Sequence, residues 1–152
     1  GTACTDMEER DEPLEKGRSE VITSGSEIAV LGVGSMVSVC QKVCEEIRDH
    51  RIARATFVNV RFVKPLDTSL LDRLSQNHSL FVTVEENVKS GGFGEHVSAY
   101  MEACHPEIRV LSAAVWDRFV PQGNVESLRS RIGLGVEDIR QAIEDSEELR
   151  EQ

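Results

Sequence analysis

Basic residues are scarce in this chain of 152 residues: 17 lysines and arginines stand against 27 aspartates and glutamates, for a net charge of −10. A phosphate backbone is held by surfaces rich in lysine and arginine, so nucleic acid is excluded as a partner. Long apolar runs are missing too. No stretch reaches the roughly 20 apolar residues that a helix needs to cross a bilayer, and no signal peptide is read at the start, so a membrane is not expected as a partner. Cysteine is sparse, and Cys4, Cys40, Cys44 and Cys104 form no Cys-x-x-Cys pair. A zinc site would need more ligands at matched spacing, and the four are expected as buried, reduced thiols.

The acidity that is present sits at the ends. Residues 1–20 and 136–152 carry nearly all of the net charge, and the stretch between them is close to neutral. Residues 1–16 are polar, acidic and without periodicity, and read as an arm or linker. Residues 17–149 read as one α/β domain, and 150–152 as a polar tail. The first residue is Gly1, so the chain is expected to be a fragment of something longer.

Within 17–149 apolar runs alternate with helical stripes. Glu20–Thr23 reads as a short strand, closed by Ser24-Gly25-Ser26 and turned into the next strand as an antiparallel edge pair. Ile28–Leu31 is a continuous apolar run, as in a strand covered on both faces. Gly32–Ser35 turns the chain into a helix whose stripe is Met36, Val39, Cys40, Val43, Cys44 and Ile47. A third glycine of a dinucleotide fingerprint would fall at Val37, so Gly32 and Gly34 read first as a tight turn, with a small nucleotide-binding protein as a minor alternative. Ala55–Phe62 is the next strand. Asp67 is placed to cap a helix from Thr68 to Gln76, with Leu66 and Leu71 as its hydrophobic staple.

Thr83–His96 is the centre of the chain. Leu80–Val84 runs into Glu85 and Glu86, then a glycine-rich turn, then Phe93, Val97, Tyr100, Met101 and Cys104 at helical spacing. In a strand the two glutamates point to opposite faces and cannot share a proton. One of them is expected to accept hydrogen bonds from backbone N–H groups of the turn. His96 lacks a nucleophile and an orienting acid, and the helix start after Gly94 already carries Glu95, which weakens a phosphate reading. After His105-Pro106 come a fourth apolar strand at Ile108–Leu111, a loop over Ala114–Gly123, a short helix from Asn124 to Arg131, and a last amphipathic helix carrying Val136, Ile139, Ala142, Ile143 and Leu149. This alternation predicts a three-layer αβα sandwich: a mostly parallel open sheet of about five strands with one antiparallel edge strand. Its βα turns, at Gly32–Ser35, Arg61–Asp67, Glu85–Gly94 and Ser112–Gly123, would share one side. No complete catalytic, cofactor or metal site is read from the residues.

Arg61-Phe-Val-Lys-Pro-Leu-Asp67, then Thr83-Val-Glu-Glu86, then Gly91-Gly-Phe-Gly94, resembles the C-terminal domain of the transketolase superfamily. Trp116-Asp-Arg-Phe-Val-Pro-Gln-Gly123 with Gly133-Leu134 is similar to the last domain of the 1-deoxy-D-xylulose-5-phosphate synthase family. The chain departs from that pattern at Trp116, where proline is common, and at Gly135, where an acid is common. The resemblance implies a large bacterial cytoplasmic transferase that uses thiamine diphosphate and Mg²⁺ held by its first two domains. No catalytic, cofactor-binding or metal residue is carried over to this chain, and no cofactor is expected on it. Lys64, Pro65, Asp67, Glu85, Glu86, Gly91, Gly92, Gly94, Asp117, Arg118 and Phe119 are the candidate structural and interface residues. The implied partners are the N-terminal and middle domains and, in the full enzyme, a second copy as homodimer. A related alternative is the partner-binding C-terminal domain of a 2-oxo acid dehydrogenase E1 beta-type subunit, against which the Asp117-Arg118-Phe119 segment speaks.

Overall fold

The computed structural model describes residues 19–61, 65–86, 92–115 and 135–151. In chain order the elements are β1 (Glu20–Thr23), β2 (Glu27–Val33), a 3-10 turn (Gly34–Met36), α1 (Val37–Asp49), β3 (Thr56–Val60), α2 (Thr68–Leu74), β4 (His78–Glu86), α3 (Phe93–Cys104), β5 (Arg109–Val115) and α4 (Val136–Glu151). The five strands form one sheet in the order β1-β3-β2-β4-β5. The pairs β2–β3, β2–β4 and β4–β5 are parallel, and β1–β3 alone is antiparallel. The expected architecture is borne out.

Period-two alternation along the central strands feeds two cores. Ile28 and Val30 of β2, Phe57 of β3 and Leu80, Val82 and Val84 of β4 pack with Cys40, Val43 and Ile47 of α1 and Ile139 and Ile143 of α4. Ala29, Leu31, Val58, Val60 and Phe81 point the other way, onto Leu70, Leu71 and Leu74 of α2 and Phe93, Val97 and Met101 of α3. From β2 the chain steps to β3 on one side and then back past β2 to β4. Right-handed crossovers in opposite directions put their helices on opposite faces, which explains why α1 and α2 lie in different layers. Burial of a leucine, valine or isoleucine contributes roughly 1.5–3 kcal/mol, so these two cores dominate the fold's stability.

Three expectations are corrected. The edge strand β1 pairs with β3 and not with β2. Residues Ser24–Ser26 pass under the start of β3, where Ser26 N donates to Arg54 O at 3.0 Å. Three residues suffice because skipping one strand needs only about 10 Å at the usual strand spacing. β2 also runs through Gly32 to Val33, so Gly32 is a strand residue and the turn begins at Gly34, whose φ is +58°. A Cβ on Gly32 would lie 2.5 Å from Cys40 Sγ. That glycine lets α1 pack close on the sheet, and its face is covered by the helix rather than open to a phosphate. Finally, Leu149 is 70% exposed. Six residues beyond Ile143 is about 240° around a helix, off the buried stripe.

Smaller departures follow the same logic. α2 ends at Leu74, two residues short of Gln76, and β5 continues to Val115, where a loop was expected. α4 runs to Glu151. Cys104 is disulfide-bonded, against the expectation of a reduced thiol, whereas Cys40 and Cys44 are free. The loop and short helix read over 116–134 lie outside the described residues. Helix α4 is anchored by charge as well as by its stripe. Arg140 meets Glu144 at 2.6 Å and Glu46 of α1 at 3.6 Å, and Arg109 of β5 reaches Glu147 at 2.8 Å.

Candidate functional site

All four parallel strands end on one side of the sheet, where Val33 pairs with Val60, Gly32 with Val84 and Glu86 with Val115. In open α/β sheets this is the side that carries ligands. The β4–α3 junction lies there, and its chemistry follows from an unmet need. The N-cap of α3 is Gly92, which has no side chain with which to cap. The first N–H groups of a helix have no partner within it, and burying them bare costs about 1–3 kcal/mol each.

Glu85 meets that need. Its Oε1 accepts from Phe93 N at 2.8 Å and its Oε2 from Gly94 N at 2.7 Å. The carboxylate is only 8% exposed, and its negative charge sits at the positive end of the helix dipole. Glu86 is exposed, as alternation along a strand requires. Two residues before Glu85 on the same face, Thr83 Oγ1 donates to Ser112 Oγ of β5 at 3.2 Å. Gly94 fills the space between these groups. A Cβ there would lie 2.8 Å from Glu85 Oε2 and 2.9 Å from both hydroxyl oxygens.

The second part of the site is the start of α2. Asp67 Oδ1 accepts from Leu70 N at 3.2 Å, the expected cap, and Oδ2 accepts from Ser19 N at 2.7 Å. Leu66 packs against the same core as Leu71, consistent with the staple. Phe93 and Asp67 line one small cavity of about 10 Å³, together with Leu31 and Val60, so the two helix starts are neighbours. That volume holds about one water molecule and no organic ligand. Pro65 is exposed just ahead of this cap. Lys64, Gly91, Asp117, Arg118 and Phe119 lie outside the described residues.

His96 Nδ1 lies 3.0 Å from Gly92 O, and since a carbonyl only accepts, that nitrogen carries the proton. The ring braces the first turn of α3. The described residues hold no group of three or more His, Cys, Asp or Glu side chains suited to a metal ion. The partnership of Thr83, Ser112 and Gly94 escaped the sequence reading. The spacing Thr83–Glu85 was its one available signal, because it places two polar side chains on one face of a buried strand.

A doubly covered, mostly parallel sheet with one antiparallel edge strand defines a domain of the α/β class. The transketolase C-terminal domain family matches residues 17–139, and the chain belongs to that family. It is 40% identical over 140 residues to the 1-deoxy-D-xylulose-5-phosphate synthase of Lachnoclostridium phytofermentans, covering 91% of this chain and 22% of that protein. It is 42% identical over 130 residues to the synthase of Nitrosospira multiformis, covering 86% and 20%. The chain therefore spans about a fifth of the length of these relatives. Among solved structures, one described as "Split gene transketolase, inactive beta4 tetramer" superposes with a TM-score of 0.71 at 26% identity, covering 89% of this chain and 43% of that one. Transketolase from Campylobacter jejuni superposes with a TM-score of 0.55 at 17% identity, covering 89% and 20%, and shares the fold.

Proposed function

We propose that this chain serves as the C-terminal domain of a thiamine-diphosphate-dependent 1-deoxy-D-xylulose-5-phosphate synthase, where it is a packing and dimerisation module without catalytic groups of its own. The whole enzyme would join pyruvate to D-glyceraldehyde 3-phosphate with loss of CO₂, giving 1-deoxy-D-xylulose 5-phosphate. That product is a precursor for isoprenoid, thiamine and pyridoxal synthesis. Thiamine diphosphate and Mg²⁺ would be held by the N-terminal and middle domains, and the assembly would be a bacterial cytoplasmic homodimer.

One observation carries the packing role. Both oxygens of Glu85 are engaged by the N-terminal amides of α3, and Gly94 leaves no room beside them even for a methyl group. A diphosphate does not fit at this helix start, because an internal carboxylate already takes the amides that would bind it. The likeness to synthases over a fifth of their length supports the assignment to that enzyme.

The test is calorimetric and functional. The chain alone, titrated with thiamine diphosphate and Mg²⁺, is expected to give no binding heat and no turnover of the two substrates. Co-expressed with the missing domains, it is expected to restore turnover that those domains lack without it. Micromolar cofactor binding by this chain alone, or full turnover by the other domains in its absence, would refute the proposal.

A further inference from the structure

The opposite end of the sheet holds a second buried polar cluster that the packing role does not use. His78, at the start of β4, is 5% exposed. Its Nδ1 lies 2.8 Å from Leu74 O, at the end of α2, and its Nε2 lies 2.8 Å from Thr56 Oγ1, at the start of β3. Thr56 Oγ1 in turn accepts from Gly25 N at 2.8 Å, in the connection between β1 and β2. One arrangement of protons satisfies all three bonds. Leu74 O can only accept, so Nδ1 bears the ring proton. Nε2 is then a bare acceptor, and the Thr56 hydroxyl donates to it while accepting from Gly25.

The connection held by this relay is strained. Glu27 has φ +71°, in the left-handed region that disfavours side chains. A Cβ on Gly25 would lie 2.0 Å from Arg54 O. Besides the relay, two backbone bonds tie the corner to its neighbours, Ser26 N to Arg54 O at 3.0 Å and Glu27 N to Asn77 O at 2.9 Å, and a third, Ile28 N to Ser26 O at 2.8 Å, closes it on itself. The strand it leads from, β1, is exposed along its whole length, so packing adds little to hold it.

We propose that His78, through Thr56 and Gly25, is a proton-sensitive latch that fixes the edge strand β1 and its crossover to the sheet only while the imidazole is neutral. Protonating Nε2 turns it from acceptor to donor. Thr56 Oγ1 then receives two donors, its own hydroxyl proton loses its acceptor, and a cation sits in a buried corner. Burial, the largest influence, lowers the His78 pKa below its ordinary value of 6.5, against the opposing pull of the Leu74 carbonyl and of Glu27. Glu27, its register partner on β2, is the charged group acting on the ring. Arg54, before Thr56, and Arg73, beside Leu74, are exposed, and Asp72 of α2 is engaged by Tyr100 and His105.

Because the folded value is depressed, the latch's contribution is complete above pH 6.5 and is lost as pH falls towards and through the folded value. Opening of the corner should therefore rise about tenfold per pH unit below the ordinary value, until the folded value is passed.

Hydrogen exchange on the whole chain reads this directly, at the amides of Gly25, Ser26, Glu27 and β1, after correction for the intrinsic pH dependence of exchange. Their protection is expected to fall by about tenfold per unit on acidification below pH 6.5, with the amides of β2 from Ala29 onward and of the β4 interior unchanged. In His78→Gln, which cannot titrate, the profile is expected to be flat. Should that variant fail to fold, ring ¹⁵N shifts of the unsubstituted chain decide. They must show protonated Nδ1 and bare Nε2 at neutral pH, with titration below 6.5. A flat profile in the unsubstituted chain, the opposite tautomer, or titration at or above the ordinary value would overturn the latch.

Discussion

Removing the Glu85 carboxylate tests the central claim about the β4–α3 junction. In Glu85→Ala the amides of Phe93 and Gly94 lose both acceptors in a buried place. Hydrogen bonds to a charged group contribute about 1.5–3 kcal/mol each, and a neighbouring helix dipole adds up to about 2 kcal/mol in partly buried geometry. Water entering the vacated space would recover part of that, so a loss of about 3–5 kcal/mol is expected. At this chain length 1 kcal/mol is worth about 2–4 °C, so the melting point should drop by about 10 °C. Glu85→Gln separates polarity from volume. Its amide fills the same space but turns an NH₂ group towards one of the two N–H groups, so it should lose about 2–4 kcal/mol.

The vacated space in Glu85→Ala also has a particular chemistry: two convergent N–H donors beside the hydroxyls of Thr83 and Ser112. It should accept formate or acetate. A site of about 10 mM affinity filled by 100 mM formate returns about 1.4 kcal/mol, which urea melts resolve. Formate should leave the unsubstituted chain and Glu85→Gln unmoved, because their sites are full. A loss below about 1 kcal/mol in Glu85→Ala, or equal stabilisation of all three proteins by formate, would refute the account of a carboxylate standing in for a bound anion.

Gly94→Ala should cost about 2–3 kcal/mol through the three contacts under 3 Å, read as a shifted urea midpoint, whereas Gly34→Ala should cost about 1 kcal/mol from its φ of +58° alone, with open space around it. Gly32→Ala and Cys40→Ala should be strongly coupled, because the second removes the sulfur that a Cβ on the first would strike at 2.5 Å. A double-mutant cycle is expected to give at least about 1 kcal/mol of coupling, and additivity would mean that α1 does not pack as described. Burial raises the thiol pKa of both Cys40 and Cys44 to about 12, and Cys40 is fully buried, so aromatic disulfide reagents at pH 8 should label Cys40 only at the rate of unfolding and the partly exposed Cys44 faster than Cys40.

The parts of the fold legible in the sequence are those decided by local pattern. The stripe Cys40, Val43, Ile47 and the cap at Asp67 needed only spacing and a side chain able to reach its own helix start. The engagement of one glutamate by the glycine turn was legible for the same reason: strand alternation separates Glu85 from Glu86, and a glycine N-cap leaves amides unmet. The partner of β1 was not legible, because Ser24-Gly25-Ser26 is as short as a hairpin turn and equally able to pass under one strand. What decided it was β3, whose side-by-side pairing with β2 is set by α1, far along the chain. Leu149 was misplaced by counting apolar residues without their phase. The Thr56–His78 relay joins residues 22 apart through their side chains alone, and no periodicity marks such a pair.

The two ends of this sheet use the same elementary chemistry to opposite effect. At the end where α/β proteins carry ligands, the demanding groups are helix amides, and a fixed negative charge from the preceding strand satisfies them. Both carboxylate oxygens are taken by those amides, and the bond pattern there does not change unless the side chain is replaced. At the other end the acceptor is an imidazole nitrogen, which protonation in acid, below the ordinary histidine value, removes. The sheet therefore has one end tied by a carboxylate and, under the proposed latch, one end that responds to acid. If the partner domains rest on the Glu85 end, the latch should leave assembly unchanged in mild acid. If they rest on β1, it should weaken over the same pH interval in which Gly25 loses protection, and sedimentation of the full enzyme across that interval separates the two.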